Sequence, residues 1–311
     1  MILNTGSRTD IPAYYSRWFC NRIREGFVLV RNPFYPSQVT RYRLTPEVID
    51  VLVFCTKNPE PMLQELELLS PYTCFWFVTI TPYGKDVEPC VPPKEKVMES
   101  LKRLRESVGT DRVSWRYDPV FVTEQYSVEY HIREFAGMAD ALRGYTGQCV
   151  VSFLDLYEKT KRNFPAAREV TRQEQETLTG EFARAAARNH MQIHLCCENE
   201  SLVRDHVDAG GCMSKEVLEQ AAGCRLRVPK RRYVRQECSC LLGADIGAYN
   251  TCGHGCLYCY ANYDRKTVLR NMECHDVHSP FLVGRGQEGD VIRDARQESW
   301  RDGQMSLFDM V

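Results

Sequence analysis

Through residue 225 the chain alternates two hydrophobic patterns. Short, continuous apolar runs rich in Val, Ile, Phe and Trp are separated by stretches whose apolar residues recur every three or four positions. MILNTG opens the series, YYSRWFCNRIREG reads as a helix, and FVLVRNP is a short extended piece. VIDVLVFCT (48–56) predicts a buried strand, with PMLQELELL as its helix, apolar at Met62, Leu66 and Leu69. CFWFVTI (74–80) is the next strand. PKEKVMESLKRLRESVG then sets Val97, Leu101, Leu104 and Val108 at helical spacing, with Gly109 as the stop signal. RVSWRYDP (112–119) is a strand running into Pro119, and a helix is expected near 127–142. QCVVSFLD (148–155) is a strand whose helix runs from about Arg172 to Asn189 through Leu178, Phe182 and Ala186. MQIHLCCEN (191–199) is the sixth clear strand, and a further helix is expected near Ser214–Ala222.

Continuous apolar strands between amphipathic helices are the pattern of a parallel sheet covered by helices. Six or more such units, with no Gly-x-Gly-x-x-Gly after the first strand, predict a TIM-like (β/α) barrel rather than a dinucleotide-binding sheet. Past residue 225 the pattern changes. A basic run, RLRVPKRRYVR, leads into a cysteine-rich region, and the closing residues are polar with Gly and Arg. The expected organisation is a barrel over 1–225, a cysteine-rich segment over 226–280 covering its mouth, and a poorly ordered polar tail over 281–311.

Hydrophobic residues at 43% and charged residues at 26% are ordinary for a globular protein, and a formal charge of −1 provides no global field towards nucleic acid or an acidic membrane. The opening MILNTGSRTD meets a charge by Arg8, so neither a signal peptide nor a membrane span is expected, and the predicted location is cytoplasmic. That makes the fifteen cysteines informative, because reduced thiols point to metal binding or redox chemistry rather than disulfides. Cys20, Cys55, Cys74 and Cys149 lie in apolar runs and read as small buried hydrophobes. Five more crowd between Cys238 and Cys259, a density that core packing does not explain.

In a parallel barrel the chemistry sits at the carboxyl ends of the strands. Those ends are polar here, and they nominate Arg8, Asp10, Lys57, Asn58, Arg116, Asp118, Asp155 and Glu198 as the rim of a cavity for a polar substrate or zwitterionic cofactor. The competing reading is that Arg8–Asp10 and Arg116–Asp118 are ion pairs that stabilise loops.

Near the carboxyl end, TCGHGCLYCYAN spaces Cys252, Cys256 and Cys259 as Cys-x3-Cys-x2-Cys. Three thiolates on a tight, glycine-containing loop can hold three irons of a [4Fe–4S] cubane and leave the fourth iron open. The amino and carboxylate groups of S-adenosylmethionine can chelate an open iron, which allows reductive cleavage to a 5′-deoxyadenosyl radical. Gly253 and Gly255 let the loop wrap closely, and Tyr258 is an aromatic for the adenine. Cys197 and Tyr117 are candidates to exchange hydrogen with a substrate radical, since thiols and phenols can do so. Two other readings stay open: a cluster with four protein ligands, and a zinc site on Cys256 and Cys259 completed by Cys238 and Cys240 or by His254. Cys197, Cys212, Cys238 and Cys240 are candidates for a second metal centre, iron–sulfur or zinc, with ordinary reduced thiols as the alternative.

CGHGCLYCYAN resembles the cluster loop of the radical S-adenosylmethionine superfamily. The wider set SRTDIPAYY, VFCTKNP, TITPYG, WRYDP, CSCLLGADIGAYNTCGHGCLYCYAN and SLF resembles a bacterial family, a domain of unknown function with such a carboxy-terminal cysteine cluster, over nearly the whole chain. The resemblance implies a [4Fe–4S] cluster, S-adenosylmethionine and a reducing partner such as flavodoxin or ferredoxin. In radical enzymes the motif usually follows the first barrel strand, whereas here it begins at Cys252. A permuted barrel would account for this, with LLGADIGAY as the strand feeding the loop. The expected function is a radical S-adenosylmethionine-like enzyme, leaning towards nucleic-acid repair or modification. The alternative is a non-catalytic metal-binding barrel that binds a ligand or partner. The leaning comes from the tail, where Gln304–Phe308 (QMSLF) resembles the peptide by which bacterial proteins dock into the sliding clamp, and from RLRVPKRRYVR, which could meet DNA phosphates.

Overall fold

The six apolar runs form strands where the pattern placed them. The computed structural model describes residues 1–229, 240–241 and 243–302. Its first third runs β1 (Ile2–Asn4), α1 (Ile11–Tyr14), α2 (Ser16–Glu25), β2 (Phe27–Arg31), β3 (Gln38–Arg43), β4 (Val51–Thr56) and α3 (Glu60–Leu63). Then come β5 (Cys74–Thr79), α4 (Lys94–Val108), β6 (Val113–Val120), α5 (Val128–Ala141), β7 (Gln148–Phe153) and α6 (Glu158–Asn163). The rest is α7 (Arg172–Arg188), β8 (Gln192–Leu195), β9 (Val207–Asp208), α8 (Lys215–Ala222), β10 (Ala244–Asp245), α9 (Arg265–Glu273) and β11 (Val291–Asp294). Local chemistry sets several boundaries. A Thr171–Glu174 capping box opens α7, the Ser127 hydroxyl caps α5, and Gly26 ends α2 in the left-handed conformation. PMLQELELL does not form one helix; it makes the single turn of α3 and a 3-10 turn at Leu66–Leu69.

Eight strands make one parallel sheet in the order β10-β1-β4-β5-β6-β7-β8-β9. The fold is therefore α/β with a large parallel sheet, as expected, but β9 and β10 are its two edges and no closed barrel forms among the described residues. From β1 to β9 the strands of this sheet lie in chain order without a reversal. Right-handed crossovers then all fall on one face. That face carries Leu52, Phe54, Trp76, Trp115, Tyr117 and Val151 against Phe19, Leu101, Phe135, Leu178 and Phe182 of the helices. On the other face, Ile2, Val51, Val53, Phe75, Phe77 and Val150 pack under Met213, Leu218, Ala221, Leu226 and Leu241. The segment around α8 thus plugs the amino-terminal half of the inner face and leaves the carboxyl ends open.

The described residues after 240 contribute strands to the fold. β10 pairs in parallel with β1, Leu3 opposite Ala244 and Asn4 opposite Asp245. The approach is close: a Cβ on Gly243 would lie 2.0 Å from the Ile2 carbonyl oxygen, so only glycine fits there. Residues 281–302, expected as a tail, supply β11 to a second sheet ordered β11-β3-β2, and the Arg31–Asp290 ion pair fastens it. No described helix is long and apolar enough to cross a membrane.

On the helix-covered face, the Tyr117 hydroxyl and the Phe121 carbonyl both bond the His131 ring at 2.8 Å. Burial pushes this imidazole down to about 4, against hydrogen bonding to Phe121 and the Glu134 charge, which raise it. Between the unfolded value of about 6.5 and that folded value, only the unfolded chain takes up the proton. Stability should therefore fall as pH drops through this window, by about 2 kcal/mol between pH 7 and 5, and should not change on this account above it. Urea midpoints at the two pH values check this. The wild type should lose more than His131→Gln, and equal losses would refute the assignment.

Candidate metal centre

Strand alternation aims a defined set of side chains at the open half of the inner face. In β6, Val113, Trp115 and Tyr117 turn to the helices, so Arg116 and Asp118 turn the other way. By the same rule Asn4, Cys55, Thr79, Ser152 and Cys196 face inward. They line a cavity of about 540 Å³ at the carboxyl ends of the strands, a size typical of small-molecule sites.

The cysteine loop forms another wall of this cavity, to which Cys252, Cys256 and Cys259 all contribute. The loop is held mainly from its backbone. The Tyr15 hydroxyl donates to the Thr251 carbonyl at 2.6 Å, the Asn262 amide to the Cys252 carbonyl at 2.8 Å, and Leu257 N–H to the Val87 carbonyl at 3.0 Å. A Cβ at Gly253 would press 2.7 Å from the Tyr14 ring, so the loop can lie against that ring only without a side chain there. His254 is buried inside the loop. Its Nε2 hydrogen-bonds Asp10 Oδ2 at 2.7 Å and its Nδ1 hydrogen-bonds the Tyr14 hydroxyl at 3.1 Å. Both ring nitrogens are thus engaged by protein, and His254 orients the loop instead of offering a metal ligand.

Asp10 joins three elements. It caps α1 through Ala13 N–H at 3.0 Å, accepts Lys57 N–H at 2.8 Å from the end of β4, and receives His254. Arg8 does not pair with Asp10. It bonds Asp245 on the neighbouring β10 at 3.1 Å. Lys57 meets Glu88 at 2.8 Å, and the same Glu88 oxygen accepts from the Thr81 and Tyr258 hydroxyls. Burial would lower the Lys57 ammonium, but the charge and hydrogen bond of Glu88, with Cys256 beyond it, hold it above its ordinary value.

Arg116 pairs with Asp118, which also receives the Ser152 hydroxyl. Its Nη1 lies 3.5 Å from Cys212 Sγ, and its guanidinium sits over the Phe77 ring at 5.3 Å. Glu198 accepts Phe153 N–H at 2.7 Å, and burial pushes its carboxyl up to about 8, with the Asp155 charge adding to the shift. Behind Arg116 three thiols converge: Cys196 to Cys212 is 3.7 Å and Cys212 to Cys240 is 3.4 Å. Hydrogen bonds from Cys197, Cys212 and Cys240 hold the Cys196 thiol well below its ordinary value.

Most of the nominated residues therefore meet in one cavity: Arg8, Asp10, Lys57, Arg116, Asp118, Asp155, Glu198, Tyr258 and the cysteines 197, 212, 240, 252, 256 and 259. Two do not. Tyr117 lies on the helix face of the sheet because Arg116 and Asp118 on either side of it face the cavity. Asn58 lies past the rim, where its side chain accepts Glu60 N–H in the turn into α3. In the second cysteine group Cys196, which was not nominated, meets Cys212 and Cys240, and Cys197 hydrogen-bonds Cys196 beside them. Ile193 and Leu195 face the helices, so the alternation carries Cys196 inward, and the backbone turns left-handed at Cys197 (φ 60°). Cys238 and the Gln304–Phe308 peptide lie outside the described residues, as does the basic run from Lys230 on. Cys55 is no core thiol like Cys20, Cys74 and Cys149, since it lines the cavity. Sequence reasoning missed Glu88 and Asp245, which charge-pair with two nominated cations.

A family profile described as a domain of unknown function, DUF1848, matches residues 2–261. The chain belongs to the DUF1848 family. The DUF1848 match runs from β1 through β10 and the whole cysteine loop and stops short of α9, so the loop is integral to the family's domain. No curated protein and no solved structure matches the chain.

Proposed function

We propose that the chain is an iron–sulfur enzyme of the radical S-adenosylmethionine type that acts on a polar substrate in the cavity. The observation that supports this best is the parallel pairing of β10 with β1, which brings Cys252, Cys256 and Cys259 to the carboxyl edge of the sheet. In spatial order the strand that feeds the loop is then the first of eight, and we read the sheet as a permuted, incompletely closed barrel.

The donor set fits a cubane. Among the described residues the one group of three ligand atoms within 4.8 Å of each other is Cys196, Cys212 and Cys240, so the loop thiols stand wider apart than a single ion requires. A cubane places each thiolate on a different iron and needs such a spread. With His254 engaged elsewhere, the loop supplies three ligands. The chemistry such a cluster supplies when bound is one-electron reductive cleavage of the sulfonium of S-adenosylmethionine. Around it, Thr9 has a buried hydroxyl with no hydrogen-bond partner among the described residues, and Asp155 and Glu198 place carboxyl groups at the far rim. Cys197 is the remaining candidate for hydrogen exchange. The nucleic-acid leaning, with a sliding clamp and DNA as partners, rests on sequence alone.

Anaerobically reconstituted protein should hold about four irons and four sulfides per chain in the loop. It should release 5′-deoxyadenosine from S-adenosylmethionine when reduced, and Cys256→Ala should abolish both. Intact release of 5′-deoxyadenosine by Cys256→Ala would refute the proposal. Stoichiometric zinc without iron would favour a non-catalytic metal-binding module.

A further inference from the structure

We infer that Cys196, Cys212 and Cys240 bind a single thiophilic ion of the zinc class, a centre distinct from the cysteine loop and independent of the function proposed above. A tetrahedral ion with metal–sulfur bonds of about 2.3 Å sets its sulfurs about 3.8 Å apart. The observed separations of 3.7 and 3.4 Å are those of one ion's coordination sphere and are too close for thiolates on separate irons of a cluster. Cys212 and Cys240 are buried, at 3% and 2% exposure. Three thiolates around a divalent ion carry one net negative charge, and the Arg116 guanidinium stands 3.5 Å from Cys212 Sγ to meet it. All three residues line the cavity, and a fourth sulfur, nitrogen or oxygen donor would complete the tetrahedron.

The three ligands come from the end of β8, the turn before α8 and the approach to β10. An ion there ties the segment that plugs the inner face to the strand that carries the cysteine loop. It would hold that loop in register without touching it.

Metal analysis of the full chain, expressed with zinc and iron, tests the inference. The Cys252→Ser/Cys256→Ser/Cys259→Ser variant should keep about one equivalent of zinc, and Cys196→Ser/Cys212→Ser/Cys240→Ser should lose it. If the second variant does not fold, cobalt substituted into Cys212→Ser gives the same answer. Its sulfur-to-cobalt absorption should fall by roughly a third, as three sulfurs become two. Zinc unaffected by these changes, no zinc in any form of the protein, or iron with sulfide bound by these three cysteines would each overturn the inference. None of those results depends on whether the loop cleaves S-adenosylmethionine.

Discussion

Asp10→Asn should destabilise the metal-free protein by about 3 kcal/mol, because one buried oxygen that accepts two bonds becomes an amide that donates. Asp10 Oδ1 can keep its bond to Ala13 N–H and go on capping α1. Oδ2 is where the change acts, since it receives both Lys57 N–H and His254 Nε2. An asparagine NH₂ in that place faces the Lys57 N–H donor to donor, and a flipped amide gives up the helix cap. His254 can adapt by exchanging its proton between nitrogens, but the backbone N–H of Lys57 cannot. A buried, unpartnered N–H costs about 1–3 kcal/mol, and the lost charge-assisted bond adds to it. Thermal unfolding should drop by about 6–9 °C. Amide exchange should rise at Lys57 and across residues 252–259, because Asp10 is what joins the ends of β1 and β4 to the loop. A variant with wild-type stability and unchanged exchange in the loop would show that Asp10 does not carry this junction.

The reach and the limit of the sequence both follow from locality. The strands were legible because runs such as VLVFC and CFWFV are apolar at every position, the pattern of a strand covered on both sides. Which side each residue takes was equally legible, and that rule already separates Tyr117 from Arg116 and Asp118: adjacent positions of one strand cannot all face the same cavity. It also adds Cys196 to the inward-facing set once Ile193 and Leu195 are assigned to the core. The inner face was not legible. It is filled from residues 213–226 and Leu241, and no periodicity reports that these segments insert under β1, β4 and β5. The two edges of the sheet are two-residue strands, too short to show a pattern. Asp245 becomes the partner of Arg8 only through the register of β10 on β1, and Glu88 lies in an aperiodic proline-containing loop.

Glu88→Gln should destabilise the protein at least as much as Asp10→Asn. Its side chain is 4% exposed, and one oxygen accepts from Lys57, Thr81 and Tyr258. Glu88→Gln keeps the shape and one acceptor oxygen but removes the counter-charge from an ammonium whose side chain is only 12% exposed. Breaking a buried pair from one side costs about 3–5 kcal/mol, most of it the penalty of the charge left behind. A fall of about 10 °C in the unfolding midpoint is expected. If that account is right, the loss belongs to Lys57 rather than to the hydroxyls, and Lys57→Met placed on Glu88→Gln should recover most of it. If the hydroxyl bonds matter more, Lys57→Met will recover nothing and Tyr258→Phe will match Glu88→Gln. The two outcomes differ in function as well. Lys57 spans from the end of β4 to the Tyr258 ring at 5.8 Å, so loss of its anchor also frees Tyr258, one of the two residues between Cys256 and Cys259. Iron retention in Glu88→Gln should then fall with stability and return with the second substitution. This would tie the charge pair at the cavity wall to the loop that the proposed chemistry needs.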